Sequence, residues 1–266
     1  MSSSVVVSAT VSPRTTRPRA VVLTAPGTNR DVDTAFALEL AGARPEIVSV
    51  MAARREPHLL RDAALIVVAG GFSYADAVGS GRLFALDLTA FLIDELTALR
   101  DAGRPILGIC NGFQTLVRAG LLPGPAALGP NASGRFECRW VTLIARSRHC
   151  VWTAGLEEPI LAPVAHGEGR FVADDETQAR LRAADCVAFT YGTVDGHDAG
   201  GAYPANPNGS VHDIAGVCDD GGTVLGLMPH PENHVIARQH PRHTRGESGG
   251  SGLTLFVNGV RHARVS

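Results

Sequence analysis

The pentapeptide Gly108-Ile109-Cys110-Asn111-Gly112 sets one cysteine between two glycines. The apolar run 105–109 ahead of it predicts a strand, and the pattern over 112–119 predicts a helix. A nucleophile on such a strand-to-helix turn stands clear of the backbone, because glycine on either side lets neighbouring chain pass closely. The helix that follows turns its N–H groups and positive dipole end toward the sulfur, which favours the attacking thiolate form. A small buried cysteine at a strand end is the alternative for a pattern of this kind in isolation. Gly70-Gly71 closes the apolar run 64–69, an expected strand. Functional loops gather at the carboxyl ends of parallel strands. There the N–H of Gly71, with that of Asn111, could hold a negatively charged oxygen, each donor contributing about 3 kcal/mol in a transition state. A plain turn is again the alternative.

A thiolate nucleophile needs a base, and a base needs an orienting acceptor. Met228-Pro229-His230-Pro231-Glu232 follows an apolar run. The two prolines fix φ and forbid a helix, so His230 is held on a rigid extended segment. Glu232, two residues on, can accept from one ring nitrogen and leave the other for Cys110. Of the ten histidines, this one has a carboxylate at short spacing and a strand-end position. His240, His243 and His262 lie in polar or terminal sequence and are expected in solvent.

The elements that must position these groups alternate. Strands are expected at 20–24, 46–50, 64–69 and 105–109. Helices are expected at 31–41, 57–63, 81–102 and 112–119. This order implies right-handed crossovers and an α/β fold, a mostly parallel central sheet flanked by helices. The second half is less regular. It reads as strands at 136–145, 186–190, 214–217 and 223–228, a helix at 174–184, and a long Gly/Pro/Asn loop at 192–209. Residues 219–222 form a tight turn. A single domain is expected over 20–266, with a disordered tail at 1–19 and a mobile polar insertion near 239–252.

Composition removes several functions. All 24 basic residues are arginine and there is no lysine, so a Schiff-base lysine and the lysine of a Walker loop are both excluded. A net charge of -2 gives no nucleic-acid footprint. No apolar run reaches the length of a membrane span, and the N-terminal pattern is not that of a signal peptide. The five cysteines, Cys110, Cys138, Cys150, Cys186 and Cys218, form no C-x-x-C pair. No metal site is expected, and reduced thiols in a cytoplasm are. Cys138 and Cys186 lie in strand-like runs and are expected in the core.

Six blocks together resemble the class I (triad) glutamine amidotransferases. They are Gly70-Gly-Phe-Ser-Tyr74, Gly108 to Gln114, Ala119-Gly-Leu-Leu-Pro123, Ala165-His-Gly-Glu-Gly-Arg-Phe171, Tyr203-Pro-Ala-Asn-Pro-Asn-Gly-Ser210 and Gly226-Leu-Met-Pro-His-Pro-Glu232. Within that family they are similar to glutaminase subunits that serve the amidation of formylglycinamide ribonucleotide in de novo purine biosynthesis. The resemblance implies a flavodoxin-like fold. It implies that Cys110 attacks the glutamine amide, that His230 is base and then acid, and that Glu232 orients His230. It makes Gly71 and Asn111 the oxyanion donors and gives Gln114 and Gly70 to substrate binding. His166 and Glu168 go to the substrate pocket or to a partner interface. Asn206 and Asn208 are pocket residues by this reading, and turn-formers by composition. No cofactor is implied in this chain. ATP and magnesium are expected on a large synthetase partner, with or without a small accessory subunit. One departure is Asn233, where the family usually has arginine. Another class I amidotransferase, a stand-alone γ-glutamyl hydrolase and a non-catalytic docking subunit are the alternatives.

Overall fold

A computed structural model describes residues 17–265. Its first half alternates strand and helix. β1 (Arg19–Thr24) leads to α1 (Asp31–Leu40), then β2 (Arg44–Ser49) and the short helices α2 (Val50–Arg55) and α3 (His58–Arg61). β3 (Leu65–Val68) is followed by α4 (Arg82–Phe91) and α5 (Ile93–Asp101), and β4 (Ile106–Ile109) runs into α6 (Asn111–Arg118). The second half holds β5 (Ala126–Pro130), β6 (Glu137–Ala145), β7 (Ile160–His166) and β8 (Glu168–Ala173). It continues with α7 (Asp175–Ala183), β9 (Val187–Gly192), β10 (Ile214–Cys218), β11 (Val224–Leu227) and α8 (Leu253–His262).

Nine strands form one sheet in the order β2-β1-β3-β4-β11-β10-β9-β6-β7. From β2 to β11 all neighbours are parallel, as the alternation of strand and helix predicts. Every residue of β3, β4 and β11 is buried, which suits apolar strands covered on both faces. Pro45 sits in β2, at the sheet's edge, where a missing N–H does least harm. From β11 to β7 the pairings turn antiparallel. β5 and β8 pair separately as a two-stranded sheet.

β7 is the other edge, and its residues alternate strictly between buried and half-buried. A bare edge would expose unpaired backbone. Here the chain after β11 covers it. The His230 N–H donates to the Pro163 carbonyl at 2.9 Å, His234 Nδ1 donates to the Leu161 carbonyl at 2.6 Å, and the Leu161 N–H donates to the Gly250 carbonyl at 2.8 Å. The polar stretch 239–252 therefore helps to finish the sheet.

Several expectations change. The helix expected over 81–102 is two helices, broken at Leu92, whose φ is −134°. Leu92 is fully buried, as are Leu88 and Leu96 on either side. The break lets both helices lay leucines on the core, and no proline or glycine marks it. β5, β7 and β8 were not expected as strands. Cys138 is exposed, because it occupies the outward register of β6 next to buried Glu137. His240 is buried, with its ring against that of His234 at 5.5 Å. His243 is exposed, and His262 is held by the Gly103 carbonyl at 3.0 Å. β1 opens at Arg19, inside the expected tail; residues 1–16 of that tail lie outside the described residues.

Candidate active site

Strand register assembles the site. β3 and β4 pair Val68 with Gly108, which brings the Gly70-Gly71 turn and the Cys110 elbow to the same end of the sheet. β11 and β4 pair Leu227 with Ile109, which brings the turn carrying His230 to the same end of the sheet. The elbow is tight. A Cβ on Gly112 would lie 2.0 Å from the Val68 carbonyl oxygen, so only glycine lets α6 begin this close to β3. Cys110 takes φ 50° and ψ −105°, a conformation that side-chain-bearing residues rarely hold without cause. Its N–H donates to the Leu227 carbonyl at 2.8 Å, which locks the turn to β11. Gly71 has φ +131° and presses on Asn29, so the expected loop at the end of β3 also requires glycine. Gly70 leaves room for the His230 ring, since a Cβ there would sit 2.9 Å from its Cε1.

His230 Nδ1 donates to Glu232 Oε1 at 2.7 Å, and the same imidazole hydrogen-bonds Cys110. All three groups are nearly buried. Burial alone would push the imidazole pKa down. The Glu232 carboxylate and the charge of Cys110 outweigh it, and the pKa is pushed up to about 10. The site thus favours an imidazolium at His230. Glu232 Oε2 has no hydrogen-bond partner among the described residues, so the carboxylate is committed to His230. A cavity of about 630 Å³ beside β6, lined in part by Trp140 and Leu161, and one of about 500 Å³ between Arg100 and Asp219 lie away from these three residues.

The chain matches a CobB/CobQ-like glutamine amidotransferase domain over residues 17–263. It is 46% identical to phosphoribosylformylglycinamidine synthase subunit PurQ of Treponema denticola, over 92% of this chain and 99% of that one. It is 39% identical to the subunit of the same name from Dehalococcoides mccartyi, over 92% and 98%. The chain belongs to the PurQ family of glutamine amidotransferases. Among solved structures, that of PurLQS from Thermotoga maritima aligns with a TM-score of 0.72 and 35% identity, covering 92% of this chain and 98% of that chain. The fold expected from the resemblance, a class I amidotransferase sheet of flavodoxin type, is the one found.

Around the triad of this PurQ-family chain, the other expected residues separate into two groups. Gln114 ties α6 to β8, its Nε2 donating to the Glu168 carbonyl at 2.6 Å. The Glu168 carboxylate accepts from the Ser80 N–H at 3.4 Å and lies 4.0 Å from Arg118. Asn206 is buried and spent on its own loop. It donates to the Ser210 carbonyl and to Asp213, and accepts from the N–H groups of Gly209 and Ser210. The turn-forming reading fits it. Asn208 reaches further, donating to the Gly169 carbonyl at 2.8 Å and to the Tyr191 hydroxyl at 3.1 Å. Asn233, at the departure from the family pattern, donates to Asp33 at 2.9 Å.

Tyr191, Asp76 and Asn131 had escaped the sequence reading. Tyr191, fully buried, has its pKa raised by burial and by the charge of Cys110, which places it beside the nucleophile. It stands one residue past the strand expected at 186–190, a boundary error that hid it. Asn111 accepts from Ser73 Oγ at 2.5 Å and donates to Asp76 at 3.0 Å, pinning the loop after Gly71 to the elbow. In that loop Tyr74, Ala75, Asp76 and Val78 all have positive φ, although none of them is glycine. Asn131 holds His166 and carried no sequence signal.

Proposed function

We propose that the chain is the glutaminase subunit of a phosphoribosylformylglycinamidine synthase. It hydrolyses glutamine to glutamate and passes the ammonia to a synthetase subunit, which converts formylglycinamide ribonucleotide to formylglycinamidine ribonucleotide. The observation that carries the mechanism is the buried contact of Cys110, His230 and Glu232. Cys110 attacks the side-chain carbonyl carbon of glutamine. The oxyanion is met by the N–H groups of Gly71 and Asn111. His230 gives its proton to the leaving nitrogen, the C–N bond breaks, and ammonia departs from a γ-glutamyl thioester. His230, now neutral, takes a proton from water. The hydroxide attacks the thioester, and the thiolate and imidazolium are restored with release of glutamate. Glu232 fixes the imidazole tautomer and stabilises its charge throughout.

The lack of lysine, and so of a Walker lysine, suits a chain that leaves ATP chemistry to its partner. ATP and magnesium belong on a large synthetase of the PurL kind, and a small subunit of the PurS kind completes the assembly, as the name of the Thermotoga complex suggests. No helix among the described residues is long and apolar enough to cross a membrane, and the free thiols fit a cytoplasmic enzyme. Glutamate release by the full chain, measured alone and with the synthetase, tests this reading. Dependence of ribonucleotide amidation on both chains and on Cys110 is the expected result. Glutaminase activity retained in Cys110→Ala overturns the mechanism.

A further inference from the structure

The chain that carries the catalytic base is held on the edge of β7 at two points. The Leu161 and Pro163 carbonyls stand two residues apart on that strand, and backbone groups at such spacing point to the same side. The His230 N–H donates to the Pro163 carbonyl at 2.9 Å. The next carbonyl along the edge is met by a side chain, because His234 Nδ1 lies 2.6 Å from the Leu161 oxygen. A carbonyl only accepts, so the hydrogen of this ring is on Nδ1. An imidazole N–H thus stands where a neighbouring strand would bring a backbone N–H.

Between the two holds lies the turn with both members of the base. Pro231–Asn233 form one turn of 3₁₀ helix. It is closed by the Asn233 N–H on the His230 carbonyl at 3.2 Å and the His234 N–H on the Pro231 carbonyl at 3.0 Å. Glu232, fully buried in this turn, binds His230 Nδ1. A turn tied to β7 at His230 alone could pivot about that bond and carry Glu232 with it. Asn233 donates to Asp33 of α1 at 2.9 Å, and His234 gives the second hold on β7 itself. His234 is in turn firmly seated. It is 1% exposed, its ring meets Trp140 at 87° and 5.5 Å, and its carbonyl accepts from the Gly252 N–H at 2.7 Å and Ser251 Oγ at 3.2 Å. Gly252 also closes on the turn, since a Cβ there would lie 2.5 Å from the Pro231 carbonyl oxygen.

We infer that His234 is a positioning residue for glutamine hydrolysis, whose Nδ1–H, anchored on Leu161, fixes the far end of the turn that sets His230 and Glu232 against Cys110. The inference rests on the triad mechanism proposed above and adds what keeps its base in place. His234 acts through the backbone of the turn. A base displaced by about 1 Å can cost on the order of 100-fold in rate, so the effect of losing this anchor falls on kcat.

Two amide side chains separate the ring nitrogens. In His234→Asn the amide nitrogen falls at the place of Nδ1 and reaches Leu161. In His234→Gln it falls at the place of Nε2, away from Leu161. Glutamate release is measured on the full chain assembled with its synthetase. His234→Asn is expected to keep kcat within about threefold of wild type, and His234→Gln to lower it about 10- to 100-fold, with KM changed less than about threefold in both. His234→Leu, a second side chain without that donor, repeats the loss and carries the test where the glutamine variant does not fold. Gly252→Ala, which presses on Pro231 and leaves the imidazole in place, also lowers kcat and keeps KM. Equal kcat in the asparagine variant and the variants without the donor, or a loss carried by KM, overturns the inference while the enzyme stays dependent on Cys110. Glutamate release that survives Cys110→Ala in the same assembly defeats the triad mechanism, and this inference with it.

Discussion

In the parallel half of the sheet, from β2 to β11, short connections and backbone register deliver Gly70-Gly71, Cys110 and His230 to one end. The antiparallel half, from β10 to β7, holds none of the three residues proposed for catalysis, yet groups that support them come from there. Pro163 of β7 takes the His230 N–H, Tyr191 of β9 lies beside Cys110, and His166 ends β7 where the charge of His230 is felt. The difference is one of division. A strand end followed by a glycine turn can present a reactive atom by itself. Holding that atom's partner at a fixed distance takes a second surface, and the antiparallel strands are that surface.

If this division is right, substitutions should fall into two ranks. The largest effect on activity is expected from Cys110→Ala, a loss of about 10⁴-fold or more in kcat for glutamine hydrolysis. Stability should change by no more than about 1 kcal/mol in chemical denaturation, since the residue is small. The largest effect on stability is expected from Gly112→Val. Its Cβ would enter the space of the Val68 carbonyl, and loss of about 4 kcal/mol or more is expected. Gly129→Ala in β5, where no atom lies within 4 Å, should change a denaturation midpoint hardly at all.

His230→Ala comes next. It leaves the Glu232 carboxylate buried with no partner, and a cost of about 3–5 kcal/mol is expected in urea unfolding near pH 7. The same pair sets a pH dependence. The folded pKa of His230 lies above the unfolded value of 6.5, at about 10. Its contribution is therefore fully present below pH 6.5 and is lost as pH rises through about 10. Glu232→Gln should flatten this alkaline decline, which denaturation series at several pH values would reveal. A decline unchanged in that variant would mean that another group titrates there.

The smallest effects belong to the antiparallel supports. Tyr191→Phe removes the hydroxyl that accepts from Asn208 and should cost about 1–2 kcal/mol with less than tenfold loss of kcat. A loss approaching that of Cys110→Ala would make Tyr191 part of the chemistry and would erase the division between the halves.

The chemical centre was legible from spacing alone. Glycines flank Cys110, prolines flank His230, and Glu232 stands two residues on, so local backbone chemistry prescribes both turns. The parallel half was legible for the same reason, since buried strands read as apolar runs and helices end at glycine. The broken helix at Leu92, the left-handed run after Gly71 and the burial of His240 were not, because each is imposed by packing against distant chain. The alternating burial of Ile160–His166 has no counterpart in the sequence, where Ile-Leu-Ala-Pro-Val-Ala is apolar throughout and carries Pro163, which a strand tolerates only at an edge. Sequence by itself thus determined on what turns Cys110 and His230 stand, because those turns are local. Only the tertiary structure decided that His166 is buried against Asn131, what covers the edge of β7, and that Pro163 holds the His230 N–H. Those depend on partners tens of residues away, brought together by register and burial.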